Sequence, residues 1–285
     1  MLKTLPAISV CIPCYNVEKT IVSSLGSIVN QNYPKNKIVV LLCDNNSTDK
    51  GIEIAKKYLQ KNKMNFKILS EKAKGQPFAR WTLWHNVRTP YFVFLDGDDW
   101  YLPNAFKDLV GGLKKDIDMV LGGGAYVLER WMFWKSTPFF NKKYNYTLSV
   151  VWSILFKTSY VKQALSKQKY SDLHCTQIME EIYFYAYICV HQPRVIRIEN
   201  KVYVYNKTID KSVSKVKDNC IEFMNNFVYA FKYLMSVVKE SKNPKLIKSI
   251  KKNCREKARG VLKFYLKNKK RERKVYKKMY ADILK

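Results

Sequence analysis

Histidine is scarce in this 285-residue chain, with only three residues. His85, His174 and His191 stand too far apart for a His-Glu-x-x-His zinc motif, so each reads as structural unless folding brings one to a cation. Glycine and proline are also few, at 10 and 9, while 47% of the residues are hydrophobic. That balance excludes a disordered or collagenous chain and predicts a globular one with a sizeable core. No apolar run reaches the roughly 18 residues that a spanning helix needs. The opening "MLKTLPAISVCIPCYN" is interrupted by Pro6 and Pro13 and does not read as a signal peptide. The expectation is a cytoplasmic protein, at most peripheral on the cytoplasmic face of a membrane. Cys11, Cys14, Cys43, Cys175, Cys189, Cys220 and Cys254 form no framework of paired spacings, which fits a reducing compartment. Cys11 and Cys14 make a C-x-x-C inside an apolar run, a setting for structural thiols rather than for a metal or redox pair.

Acidic residues are outnumbered, 23 against 52 Lys and Arg, and the net charge is +29. Such a charge calls for an anionic partner: nucleic acid, an anionic membrane or a phosphorylated substrate. Against that background, "YFVFLDGDDWYLP" (91–103) places Asp96, Asp98 and Asp99 within four positions. Carboxylates this close disfavour one another's ionisation. On extended backbone Asp96 and Asp98 point to the same side, and their hard oxygens suit Mn2+ or Mg2+. Mg2+ fills the rest of its shell with water and phosphate oxygens, so two carboxylates plus a diphosphate are a sensible complement. The cation would stabilise the diphosphate as a leaving group. The plain alternative is a solvated Asp-Gly turn. Its place at the end of a buried strand favours the metal.

The first hundred residues alternate in type. Apolar strands are predicted over 7–16, 37–44, 65–71 and 91–96, and helices over 18–31, 47–61 and 76–87. Strands apolar on nearly every residue indicate a Rossmann-like, mostly parallel α/β sheet with helices on both faces. Ligands bind beyond the carboxyl ends of such strands. Those ends carry Tyr15-Asn16, Asp44-Asn45-Asn46 and the acidic turn. Ser47 or Thr48 is expected to cap the second helix, with Asp49 favouring its dipole. Further on, 118–129 reads as a strand with a Gly-rich bend, although Gly122, Gly123 and Gly124 lack the Lys-Ser/Thr of a phosphate loop. A strand and helix follow over 149–165, a helix over 176–192, and two short strands, readable as a hairpin, over 194–206. Glu180 and Glu181 open the 176–192 helix among apolar neighbours, where a carboxyl with a raised pKa suits a general base. From 217 the chain turns basic, helical and amphipathic. The expected division is 1–216, with halves meeting near 103, followed by 217–285.

In this order, "SVCIPCYNVEKTIVSSLGSIVNQNYP", "IVVLLCDNNSTDKGIEIAKKY", "GQPFARW", "YFVFLDGDDWYLP", "VVWSILFKTSYV", "MEEIYF" and "YVYNKTIDKSVS" resemble the inverting nucleotide-sugar glycosyltransferases of family 2, which have the GT-A fold. The resemblance spans residues 8 to about 214. It implies transfer of a sugar from a nucleoside-diphosphate sugar, with UDP as the expected nucleotide, to a hydroxyl of a glycan or lipid-linked acceptor. It implies that Pro13, Tyr15 and Asn16 border the base, that Asp44 hydrogen-bonds it, and that Gly75 and Arg80 hold the nucleoside and phosphate. Asp96 and Asp98 would be the D-x-D carboxylates for the metal, ribose and diphosphate, with Asp99 supporting them. Trp100, Trp152 and Asp99 would line the donor and acceptor cleft. The family's base, usually the Asp of a Glu-Asp pair, corresponds to Glu181, with Glu180 beside it. Three positions depart from the family pattern: the Glu-Glu pair itself, Trp81 in place of an Asn, and Asn206 where relatives often carry Arg or His.

Over 240–285, Leu246, Ile247, Ile250, Val261, Leu262, Phe264, Tyr265, Val275, Tyr276 and Met279 alternate with Lys and Arg at helical spacing. Such a helix can lie on an anionic membrane, or can dock on the catalytic domain. Three rival readings remain. A nucleic-acid-binding protein would show an RNP, zinc-finger or homeodomain pattern, and none is present. A nucleotidyl transferase would carry a Gly-rich basic loop after the first strand, where this chain has "PCYNVEKT". The last is an inactive homologue, suggested by the Glu-Glu pair alone.

Overall fold

The computed structural model describes residues 4–128, 131–135, 140–141, 146–147, 151–174, 181–206, 220–253, 255–256 and 281. Strands and helices alternate through the first half: β1 (Ile8–Cys14), α1 (Ile21–Val29), β2 (Ile38–Asp44), α2 (Gly51–Lys61), β3 (Asn65–Ser70), α3 (Gln76–His85) and β4 (Tyr91–Phe94). Next come β5 (Trp100–Tyr101), α4 (Ala105–Gly111), β6 (Met119–Leu128), β7 (Trp131–Lys135), β8 (Phe140–Asn141) and β9 (Tyr146–Thr147). The chain continues through β10 (Ile154–Lys157), α5 (Thr158–Ala164), α6 (Glu181–His191), β11 (Val195–Asn206) and α7 (Cys220–Lys239). One sheet runs in the order β3-β2-β1-β4-β10-β6-β11-β5, with β7 paired to β6. β3, β2, β1 and β4 are parallel, as the doubly apolar strands predict. β10 enters antiparallel between β4 and β6 and joins the two halves.

The central strands β1, β2, β4, β6 and β10 each feed two cores. Ile8, Val10, Ile12 and Cys14 of β1 pack toward α1, α2 and α4, while Cys11 packs toward α3, α6 and α7. The strand's two-residue alternation therefore sends Cys11 and Cys14 to opposite faces, which rules out a shared metal. Burial, with the charge of Cys43 adding, pushes both thiols far above the usual range. They are structural.

Three expectations change. The second helix begins at Gly51 rather than at 47, and its N-cap residue, Lys50, makes no side-chain cap. Ser47 is spent between loops instead, its Oγ accepting the Asn16 backbone N–H (3.2 Å). Asp49 stands at the helix start as expected, accepting the N–H of Gly51 (3.0 Å) as well as that of Glu18 (2.8 Å). Neighbouring parallel strands leave their exit loops side by side with unpaired N–H groups, and these side chains satisfy them. The 194–206 segment is a single strand rather than a hairpin. It pairs with β6, and register shifts between Arg197 and Lys201 and between Lys201 and Tyr203 absorb the irregularity. The glycines of β6 make close contacts rather than a bend. A Cβ on Gly124 would lie 2.5 Å from Trp152 Cζ3, and one on Gly122 would overlap Val202.

The C-terminal helices are part of the core. Ala230, Leu234 and Val238 of α7 are fully buried, as are Leu246 and Ile250 from the helix over 244–253. All five belong to the cluster that contains α3 and α6, and Ile247 packs against it. Of the two alternatives for the tail, Leu246 and Ile250 therefore follow docking on the catalytic fold. The other apolar positions of the tail, Val261 to Met279, lie outside the described residues. Among the described residues no helix is long and apolar enough to cross a membrane.

Candidate active site

The parallel register sets the ends of β1, β2 and β4 side by side, with Cys14 opposite Asp44 and Cys11 opposite Phe94. Pro13 is the last residue but one of β1, and Tyr15 stands 62% exposed at the rim. Asn16 turns the chain at φ 51°, a left-handed position that Asn tolerates. Its Oδ1 accepts the backbone N–H and the hydroxyl of Thr48 (2.8 and 3.2 Å). Asp44 Oδ1 accepts the Ser47 amide (3.0 Å). A rigid ledge of the residues expected to border the base results.

The next residue, Asn45, is buried and holds the loop that leads into α3. Its amide donates to the carbonyls of Glu71 (3.1 Å) and Ala73 (2.6 Å), and its Oδ1 accepts the Gly75 N–H (2.9 Å). Gly75 sits at φ 126°, where a side chain would be strained. That turn launches α3 so that Gln76 and Arg80, one helical turn apart, both reach Asp96 Oδ1 (3.1 and 2.9 Å). Arg80 is buried and its guanidinium lies 5.7 Å from the centre of the Phe94 ring.

The acidic turn is fixed from below. Thr20 and Ser24 donate to the Gly97 carbonyl (2.8 and 2.9 Å). Asp99 is fully buried and accepts from the Tyr203 hydroxyl and the Asn206 amide, each at 2.8 Å. The same Tyr203 hydroxyl accepts the Asp96 N–H (3.2 Å), and Trp152 stacks on its ring at 5.0 Å. This corrects two expectations. Asp99 cannot line a cleft, because both oxygens are spent tying the turn to β11. Trp152 is 8% exposed and acts as the floor beneath Tyr203 rather than as a cleft wall. Trp100 is half-buried in β5, paired with Val204.

The electrostatics separate the three carboxylates. Burial, then the charge of Asp96, pushes the half-buried Asp98 up to about 6. Burial, then Asp96 and Asp98, pushes Asp99 well above the usual range. Asp96 has Arg80 as its counter-charge, whereas among the described residues Asp98 has only its own backbone N–H. A divalent cation would oppose both effects that disfavour the Asp98 carboxylate. Among the described residues both side-chain bonds to Asp96 fall on Oδ1, which leaves Oδ2 for the cation. The described residues contain no cage of three or more protein ligands. Two carboxylates completed by water and phosphate oxygens are what Mg2+ or Mn2+ takes, so this donor set fits the cation.

Glu181 opens α6, half-buried. One turn on, burial pushes the Tyr185 hydroxyl far up, with the charge of Glu181 adding and that of Arg80 opposing. The charges of Glu181 and Arg80 thus both act on the same buried tyrosine. Glu180 lies outside the described residues. Glu71, Gln76 and Tyr203 were not singled out from sequence, and Asn45 only as part of a polar strand end. Only Gln76, four residues before Arg80 and so on its helix face, gave a readable signal.

Comparison with known proteins agrees with this architecture. The family model for glycosyl transferase family 2 matches residues 9–183, more than half the chain. The chain is 30% identical over 151 residues to the poly(ribitol-phosphate) beta-N-acetylglucosaminyltransferase TarS of Staphylococcus aureus, covering 50% of this chain but only 26% of TarS. It is 32% identical over 117 residues to the Escherichia coli UDP-Glc:alpha-D-GlcNAc-diphosphoundecaprenol beta-1,3-glucosyltransferase WfgD, covering 40% of this chain and 44% of WfgD. The fold matches residues 1–349 of S. aureus TarS in complex with UDP-GlcNAc at a TM-score of 0.63 and 20% identity, over 83% of this chain and 72% of that one. It also matches the mannosyltransferase PcManGT of Pyrobaculum calidifontis, in complex with GDP-Man and Mn2+, at a TM-score of 0.57 and 14% identity, over 99% and 86% of the two chains. With the matched span running from β1 through the acidic turn to the start of α6, the chain belongs to glycosyl transferase family 2.

Proposed function

We propose that this protein transfers a sugar from a nucleoside-diphosphate sugar to an acceptor hydroxyl, with inversion at the anomeric carbon. The observation that carries the reading is the pair of unlike carboxylates beyond β4: Asp96 held by Arg80 and Gln76, and Asp98 without a counter-charge among the described residues. In this reading residues 1–103 bind the nucleotide and 104–216 receive the acceptor. Asp44 and the Asn16 turn border the base, and Tyr15 covers it. Asp98 and Asp96 hold Mn2+ or Mg2+, which supplies charge neutralisation of the departing diphosphate. Glu181 takes the proton of the acceptor hydroxyl. The acceptor oxygen bonds the anomeric carbon as the bond to the diphosphate breaks on the opposite face, and the nucleoside diphosphate leaves.

The names of TarS and WfgD support a UDP-sugar donor and an acceptor in polysaccharide or lipid-linked glycan synthesis. The Lys-rich segment 240–285 offers charge attraction to an anionic membrane that carries such an acceptor. Leu246 and Ile250, buried in the core, are unavailable for insertion. The test is a panel of UDP-, GDP- and dTDP-sugars assayed for release of nucleoside diphosphate with Mn2+ and with EDTA. One donor should turn over with metal, and Asp98→Ala and Glu181→Gln should abolish it. Turnover that is unchanged in Asp98→Ala with the metal chelated would overturn the reading.

A further inference from the structure

Glu71 lies at the end of β3, outside every residue assigned above, yet it makes six hydrogen bonds. Its N–H donates to the Asp44 carbonyl (2.8 Å), and its own carbonyl accepts the amides of Asn45 and Asn46 (3.1 and 3.2 Å). Its carboxylate accepts the Ala73 N–H (2.9 Å), the Thr82 hydroxyl of α3 (2.6 Å) and the Tyr170 hydroxyl (2.7 Å). The first two of these carboxylate bonds clamp the turn that aims Arg80 at Asp96. The third crosses to the acceptor half, 99 residues away in sequence.

Tyr170 is otherwise a poor anchor, being 40% exposed. It is seated against α3 by the rings of Phe78 (centroids 5.3 Å apart) and Trp81 (6.0 Å). Two residues before it, the buried Gln168 donates to the carbonyl of Tyr183 and to the hydroxyl of Tyr233 (3.0 Å). Tyr183 lies two residues beyond Glu181 on α6. Hydrogen bonds therefore run from the Asp44 ledge through Glu71 to Tyr170, and, after two residues of backbone, from Gln168 to the first turn of the helix bearing the expected base. Trp81, one of the three departures from the family pattern, is part of that seat.

We propose that Glu71 and Tyr170 are positioning residues for sugar transfer: together they set the α6 helix, and with it Glu181, against the donor-side turn that carries Arg80. The proposal rests on the function stated above. Glu71 acts on both sides of the joint, whereas Tyr170 acts only on the acceptor side. Their substitutions therefore have different signatures. Glu71→Ala releases the α3 turn and weakens donor-side binding as well as turnover. Tyr170→Phe keeps the ring contacts and removes only the crossing bond, so binding stays and turnover falls.

The experiment compares the full-length wild type with Glu71→Gln, Glu71→Ala and Tyr170→Phe. It measures UDP affinity by calorimetry with Mn2+, turnover of the donor found active in the panel, and hydrogen exchange at the Ala73 and Gly75 amides. Expected results are UDP binding weakened tenfold or more in Glu71→Ala and less in Glu71→Gln. In Tyr170→Phe, binding should stay within twofold while turnover drops at least fivefold. Amide exchange at Ala73 and Gly75 should accelerate in both Glu71 variants and stay at the wild-type rate in Tyr170→Phe. A purely structural role would lower the melting temperature while leaving affinity and turnover per folded molecule unchanged, which overturns the proposal. Unchanged amide exchange in Glu71→Gln also overturns it, whatever the enzyme does. A wild type that binds no nucleotide while exchange in Glu71→Gln accelerates would refute the glycosyltransferase function and leave the clamp as a structural device only.

Discussion

Replacing Arg80 with Leu tests how the acidic turn is held. The guanidinium is 2.9 Å from Asp96 Oδ1, with side-chain exposures of 4% for Arg80 and 21% for Asp96. Leucine leaves the Asp96 carboxylate beside Asp98 with no opposing charge among the described residues and removes the contact with the Phe94 ring. Breaking a buried pair from one side costs about 3–5 kcal/mol. Asp96 is partly open to water, which relieves some of that penalty and places the expectation at about 3 kcal/mol. For a domain of this size that is a fall of roughly 6–12 °C in melting temperature. The assay is urea unfolding of wild type, Arg80→Lys and Arg80→Leu, each with and without Mn2+. Arg80→Lys should lose less, because it keeps the charge but not the planar fork. Mn2+ should stabilise Arg80→Leu more than the wild type, since the cation then supplies the missing positive charge. A loss below about 1 kcal/mol for Arg80→Leu would refute the view that this pair offsets the carboxylate repulsion.

Other consequences follow from the same geometry. Gly124→Ala forces a Cβ to 2.5 Å from Trp152, the support under Tyr203, and should cost about 1–3 kcal/mol by calorimetric melting. Leu246→Ala should destabilise the catalytic fold by about 3 kcal/mol, because the residue is fully buried in the main core; an unchanged melting temperature would show that the tail does not dock there. The pH dependence turns on Glu71. Burial alone would push its carboxyl up, but the hydroxyls of Thr82 and Tyr170 and the amides of Ala73 and Lys72 hold it below the ordinary value. Its contribution to stability is therefore complete above the unfolded pKa of about 4.3 and is lost as pH falls through the lower folded value. Melting curves between pH 6 and pH 3 should show wild type and Glu71→Gln converging at the acid end. Divergence there would reverse the sign of the argument.

Much of the fold was legible because parallel strands buried on both faces leave an unmistakable apolar run, as in "SVCIPC" and "YFVF". The acidic turn was legible because three carboxylates in four residues need an explanation wherever they occur. The division of labour among them was not. Asp96, Asp98 and Asp99 look alike in sequence, and only Arg80, Tyr203 and the Asn206 amide, brought in from 16 to 107 residues away, make them different. The 194–206 segment failed for a similar reason. It read as two short strands, but β6 pairs with the segment on both sides of residues 198–200 and turns the interruption into a register shift. The tail's apolar stripe was visible, whereas its partner was not, since a stripe that fits a membrane fits the α6 surface equally well.

The most direct test of the central claim is calorimetric titration of UDP into wild type and Asp98→Ala, with Mn2+ and with EDTA. Binding should appear only in the wild type and only with Mn2+. Equal affinity in all four combinations would contradict the claim that the turn beyond β4 holds a diphosphate through a metal ion.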